Sequence, residues 1–211
     1  MKSKFIIFSI LLFLLLTITS SAKSTHYVDH VTVSHLHKIF NKIKKNSDVS
    51  ERALSRTFKY YERNRYKKHL SSHYIAIADY TKTSMKKRLY IINLHSGKVE
   101  CYLVAHGRNS GAKGGRVWRS SNKIGTYMTP FGFFKIGSKE GITVKKKYNY
   151  LAVEGLEEKN KSAKKRDILL HTANYVNWGG KSYGCFAIKP QDKYQIFPKL
   201  KKALFYSYTG R

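Results

Sequence analysis

Cys185 follows a glycine in the run Ser182-Tyr183-Gly184-Cys185, and His171 stands fourteen positions before it. A thiol needs help to act as a nucleophile, because free cysteine has a pKa near ~8.5 and little thiolate forms at neutral pH. An imidazole within reach can take the proton, or as imidazolium favour the thiolate, and can then return a proton to a departing amine. Gly184 permits a sharp turn, which can expose the thiol and turn neighbouring backbone N–H groups toward a carbonyl oxygen developing negative charge. The chemistry these residues could perform is acyl transfer. Spacing alone leaves other readings open, among them a disulfide between Cys185 and Cys101, the other of the two cysteines.

The elements that would hold this pair can be read from periodicity. His171 ends the apolar run Ile168-Leu169-Leu170, which reads as a buried strand over 167–171. Strands are also expected at 74–79, 88–94, 99–106, 132–136 and 203–208, with a tight connection at His95-Ser96-Gly97. Cys101 alternates with Val99, Leu103 and Ala105, so it reads as an inert thiol among apolar neighbours. Residues 107–125 hold five glycines and no clear period; a loop of that length inside a domain is more often functional than accidental. Trp118 within it reads as a loop anchor or a sugar platform. Residues 23–71 read as a helical arm, with one helix over 34–45 and a second carrying Val49, Ala53, Thr57 and Tyr61, capped by Ser47 or Asp48. A short helix is expected near Pro190.

Charge and the first residues address location. The chain of 211 residues has 41 basic and 12 acidic side chains, a formal net charge of +29. Such a surface attracts polyanions, and its lysines are spread along the length, as a solvated basic face would be. Lys2 and Lys4 precede an uncharged apolar stretch and the small residues Ser20-Ser21-Ala22. This pattern predicts an export signal over residues 1–22, cleaved after about Ala22, with an uncleaved anchor as the alternative. Export to the periplasm or cell envelope argues against nucleic acid as the partner and for anionic envelope polymers. Nine histidines are present, but no His-Glu-x-x-His or paired Cys-x-x-Cys spacing, so neither a metal nor another cofactor is expected.

Ser182-Tyr183-Gly184-Cys185 after His171 resembles the His…Ser-x-Gly-Cys signature of the L,D-transpeptidase (YkuD-type) superfamily. Thr129-Pro130-Phe131-Gly132-Phe133-Phe134 is similar to that superfamily's Thr-Pro-x-Gly-x-Phe segment. Ile77-Ala78-Asp79, the run from Ala105 to Gly111, Gly155-Leu156-Glu157 with Asn160, Ala163 and Arg166, and Ala173-Asn174-Tyr175-Val176 resemble its murein L,D-transpeptidase catalytic domain branch. The resemblance covers 74–208. It implies a mainly β catalytic domain, a sandwich or barrel over 72–211, with the helical arm and a short C-terminal helix added.

The resemblance further implies Cys185 as nucleophile and His171 as base, with Ser182, Tyr183 and Gly184 forming the turn and oxyanion site. His106, Arg108 and Asn174 become candidates for substrate contact. Such enzymes attack the bond after the L-centre of the third residue of a peptidoglycan stem, release D-alanine, and pass the acyl group from the cysteine to an amine of a second stem as a 3-3 cross-link. Water as acceptor gives a carboxypeptidase. No cofactor is implied, and a monomer is the default. Thr172 stands where the pattern has glycine, Phe186 where the branch has proline, and no arginine follows the cysteine. A catalytically idle protein that binds anionic envelope polymers and a secreted cysteine peptidase are the competing readings.

Overall fold

The computed structural model describes residues 31–210. The expected export segment lies outside them, as do the first residues of the arm. Helix α1 (Val33–Asn46) starts at Thr32, whose side chain accepts from the His35 N–H, and buries Leu36, Ile39 and Ile43. Helix α2 (Glu51–Asn64) is capped by Ser50 rather than by Ser47 or Asp48, and buries Ala53, Leu54, Thr57, Phe58 and Tyr61. Each apolar stripe recurs every three to four residues, which commits one helix face to packing.

The partner of that face is a mixed sheet of eight strands. They are β1 (Tyr74–Asp79), β2 (Leu89–Asn93), β3 (Val99–Tyr102), β5 (Gly132–Ile142), β6 (Asn149–Gly155), β7 (Leu169–Thr172), β9 (Phe186–Ile188) and β10 (Leu204–Tyr208). Their spatial order is β3-β2-β1-β10-β5-β6-β7-β9. Two short strands, β4 (His106–Gly107) and β8 (Lys181–Ser182), pair parallel in a second sheet. Helix α3 (Lys193–Leu200) precedes β10.

Alternation along each strand divides the core between two faces. Ile75, Ile77, Tyr90, Ile92, Leu204 and Tyr206 pack with the α1–α2 arm. Ala76, Ala78, Leu89, Ile91, Phe134 and Phe205 pack on the other face with Ile196, Phe197 and Leu200 of α3. The central strands are therefore buried on both sides. Ala105, just past β3, donates its N–H to Ala187 O on β9 at 2.9 Å, so the two ends of the sheet come together. The expected mainly β body, with helices at both ends of its sequence, is what the chain forms.

Several elements differ from the sequence reading. The strand expected over 99–106 breaks after Tyr102, and His106 begins β4 instead. Strand β5 runs on to Ile142, and β6 was not anticipated. The connection between them carries Lys145, Lys146 and Lys147, a charge run that hides the hairpin because it needs no apolar period. The helix expected at Pro190 starts at Lys193 and holds Pro198 internally.

Candidate active site

Parallel pairing of β7 with β9 sets Leu170 beside Phe186, His171 beside Ala187 and Thr172 beside Ile188. Continuing that register one step aligns Leu169 with Cys185. Leu170, Phe186 and Ile188 face the main core, while Ala187 lies in the small cluster with Ala105, Ala173 and Val176. By alternation Cys185 and His171 share this second side. Strand spacings of ~4.8 Å across and ~3.3 Å per residue put their Cα atoms roughly 8 Å apart, a distance two inward-leaning side chains can span.

The imidazole is fixed before any substrate arrives. His171 is buried, and its Nδ1 lies 3.0 Å from Thr172 O. A carbonyl only accepts, so Nδ1 carries the proton and Nε2 presents its lone pair. Tyr148 stacks on the ring at 5.0 Å and Tyr175 meets it edge-on at 6.5 Å. Burial lowers the pKa of His171, opposed by the Thr172 carbonyl. Thr172 has a second task, since its hydroxyl accepts from Asn149 N at 3.2 Å and fixes the start of β6.

Cys185 is partly buried, and both it and Cys101 are free thiols, so no disulfide joins them. Cys101 sits half-buried on β3, its thiol pushed up by burial. The Cys185 Sγ donates to Asp167 O at 3.3 Å, and no hydrogen bond links it to the His171 ring. Burial raises its pKa, against the Leu169 N–H and the positive charge of Arg166. The resting pair is thus a neutral thiol and a neutral imidazole, not the thiolate–imidazolium pair that sequence reasoning allowed.

The turn before the thiol is braced from within. Ser182 Oγ accepts from Gly184 N at 3.1 Å and donates to Cys185 O at 2.7 Å. The Gly184 N–H is therefore engaged by Ser182, which leaves those of Tyr183 and Cys185 for an oxyanion. Gly184 has φ +119°, and a Cβ there would stand 3.0 Å from Met128 O and 3.3 Å from Arg166 Nη2. Phe186, next in sequence, is fully buried against Phe134 and Phe205, ring centroids 5.6 and 4.6 Å away. An aromatic anchor thus holds the strand that follows the thiol, where a proline was expected.

Arg166 is the residue the sequence reading did not credit with a role at the site. Its Nη1 donates to Ser121 O and its Nη2 to Met128 O, each at 2.7 Å. The guanidinium thereby ties the long loop to the turn that carries Cys185 and brings a cation to the thiol. It supplies from upstream the charge missing after Cys185; the only sequence signal was its place in the motif shared with Asn160 and Ala163.

The substrate-contact candidates separate. Arg108 is exposed, its guanidinium 5.6 Å from the Tyr127 ring centroid and 5.3 Å from that of Tyr183, while its N–H bonds Ser182 O at 2.7 Å. It is a cation on the rim of the thiol. Asn174 is exposed on the 3₁₀ turn Asn174–Trp178. His106 is corrected: it is 0% exposed and out of a substrate's reach. Arg88, also buried, donates through Nη2 to His106 Nδ1 at 3.0 Å. Burial and that guanidinium push the pKa of His106 down to about 4. Trp118 is exposed under the guanidinium of Arg119, 4.2 Å from its ring. Among the described residues no group of three or more His, Cys, Asp or Glu side chains is placed to hold a metal.

The L,D-transpeptidase catalytic domain family matches residues 45–208, well over half of the chain. The chain belongs to that family. Among solved structures the chain is similar to the helical cell shape determining protein Pgp2 from Campylobacter jejuni, at 15% identity and TM-score 0.44, covering 66% of this chain and 48% of that one. It thus spans about half that protein's length. It is also similar to an L,D-transpeptidase (Yku) from Stackebrandtia nassauensis, at 17% identity and TM-score 0.40, covering 84% and 78%. An L,D-transpeptidase from Xylanimonas cellulosilytica matches at 13% identity and TM-score 0.40, over 65% and 61%. No curated protein matches.

Proposed function

We propose that the protein is an exported, cysteine-dependent L,D-transpeptidase acting on peptidoglycan stem tetrapeptides. The observation that carries this reading is a free Cys185 at the turn leading into the strand beside His171, whose Nδ1–H is spent on Thr172 O and whose Nε2 is left as a base.

In this mechanism Sγ leaves Asp167 O by rotating about its Cα–Cβ bond, a change between staggered rotamers. Nε2 takes the thiol proton as sulfur attacks the carbonyl carbon of the third stem residue. The tetrahedral oxyanion is met by backbone N–H groups of the turn and by the positive field of Arg166. The C–N bond to D-alanine breaks, and the leaving nitrogen takes the proton from His171. A thioester remains on Cys185. An acceptor amine then gives its proton to His171, attacks the thioester, and restores the thiol as the C–S bond breaks. Arg108, an exposed cation between two tyrosine rings, suits a stem carboxylate.

Water in place of the amine yields an L,D-carboxypeptidase, and the exposed rim of the site favours neither acceptor. The deciding experiment incubates the protein with purified tetrapeptide muropeptides and reads the products by mass spectrometry. Released D-alanine together with a tetra–tetra dimer supports the transpeptidase, and D-alanine alone the carboxypeptidase. Either activity surviving Cys185→Ala refutes the mechanism.

A further inference from the structure

Five residues of α2 form a polar stripe along a cavity of about 540 Å³ between the arm and the sheet; they include Arg56, Lys59, Tyr60 and Arg63. Their spacing of three, four and seven puts them on one helix face, next to the stripe that α2 buries in the core. Phe131 and Lys159 line the opposite wall. The same two residues also line a second cavity of about 590 Å³ that reaches Ser121 and Lys123 in the long loop. The two cavities adjoin at these shared residues, giving a groove in two parts, and Ser121 is the residue whose carbonyl holds Arg166 beside the thiol.

The groove is cationic. Lys59, Arg63 and Lys123 are exposed and make no side-chain hydrogen bond or ion pair with any described residue. Lys159 is matched by Glu157 at 2.8 Å. Three unmatched cations in a concave, partly apolar channel raise the local concentration of anions. Its aromatic floor narrows the choice of ligand. Phe133 is sandwiched between Tyr60 and Tyr206, at 4.0 and 4.3 Å, so both its faces are used and it offers no platform to a nucleobase.

We propose that this groove binds a polymer of phosphate groups on a polyol or sugar backbone, holding the protein on an anionic envelope chain with the thiol at one end of the contact. Arginine forks suit phosphate oxygens, and the spaced cations suit a repeating charge. The test is fluorescence anisotropy of labelled poly(glycerol phosphate) with the full chain at ~0.15 M salt, where exposed charges more than ~8 Å apart are largely screened. Lys59→Glu with Arg63→Glu should weaken binding about tenfold or more, because both lose a phosphate contact and gain repulsion. Lys145→Glu with Lys146→Glu makes the same charge change in the β5–β6 turn and should alter affinity less than about twofold. Lys59→Gln with Arg63→Gln, a milder pair on an exposed helix face, should lie between. Equal losses from the two Glu pairs would overturn the site in favour of a diffuse field. Equal or tighter binding of a single-stranded oligonucleotide, or of polyglutamate, would overturn the ligand class. Binding is read without turnover, so this result stands apart from the muropeptide assay.

Discussion

Protonation of His106 should destabilise the fold by an amount the structure fixes. The ring is sealed inside the fold on β4, whose pairing with β8 leads directly into the turn that carries Cys185. Its Nδ1 accepts from Arg88, a buried guanidinium also bonded to Val104 O at 3.0 Å and Lys82 O at 2.7 Å, and itself pushed down to about 10 by burial. A proton on Nδ1 would turn that acceptor into a second cation facing the first. The pKa falls from 6.5 to about 4, so the folded state holds His106 neutral where the unfolded chain protonates it. A depressed value stabilises fully above 6.5, and that stability is lost as pH falls toward 4. At 1.36 kcal/mol per pKa unit, the loss is about 2 kcal/mol by pH 5 and about 3 kcal/mol by pH 4. His171, also lowered by burial, adds a loss of the same sign. His106→Asn isolates the first contribution, because its side-chain oxygen can accept from Arg88 and does not titrate. Urea unfolding of both proteins at pH 7, 5 and 4 measures it. The wild type should lose about 3 kcal/mol more than the variant between pH 7 and 4. Parallel losses in the two proteins would refute the placement of His106 and its guanidinium partner.

Other consequences can be checked at the thiol. With Cys101→Ala in the background, alkylation of Cys185 should rise with a midpoint above the ordinary 9.0, since burial outweighs the groups favouring thiolate; a plateau below pH 7 would show a preformed ion pair. Arg166→Gln should move that midpoint higher and cost about 2 kcal/mol of stability through lost charge-assisted bonds to Ser121 O and Met128 O. Arg166→Lys should recover the midpoint, because the charge returns without the fork, and failure of both variants to shift it would remove Arg166 from the site. Gly184→Ala forces a side chain onto φ +119° against Met128 O and should lower muropeptide turnover by at least about tenfold, while circular dichroism stays native; unchanged turnover would show that the turn relaxes freely.

The candidate pair, Cys185 and His171, was legible because its signals are local. A glycine before a cysteine, and a histidine ending an apolar run, survive as a turn and a strand end. The helices of the arm were legible for the same reason, through stripes at helical spacing. What escaped depends on partners distant in sequence. Nothing in the string around His106 says that Arg88 will meet it, so a motif histidine read as a substrate contact became a buried strut. The lysine run before Tyr148 masked the hairpin that lays Tyr148 on the His171 ring. Motif residues such as Thr129 and Glu157 proved to be braces: Thr129 Oγ1 accepts from Gly107 N at 2.9 Å and Glu157 Oε2 from Phe133 N at 2.7 Å. Phe186 departs from the family pattern in type yet fixes the same strand by packing. Arg166 supplies charge from a position no spacing rule around the cysteine would find.

The most direct measurement traps the acyl-enzyme. Incubated briefly with a tetrapeptide stem, quenched in acid and weighed intact, the protein should carry the mass of the stem less D-alanine, mapping to the peptide that contains Cys185 and released by hydroxylamine. Product forming with no such adduct, or an adduct on any other residue, would contradict a thioester at this sulfur.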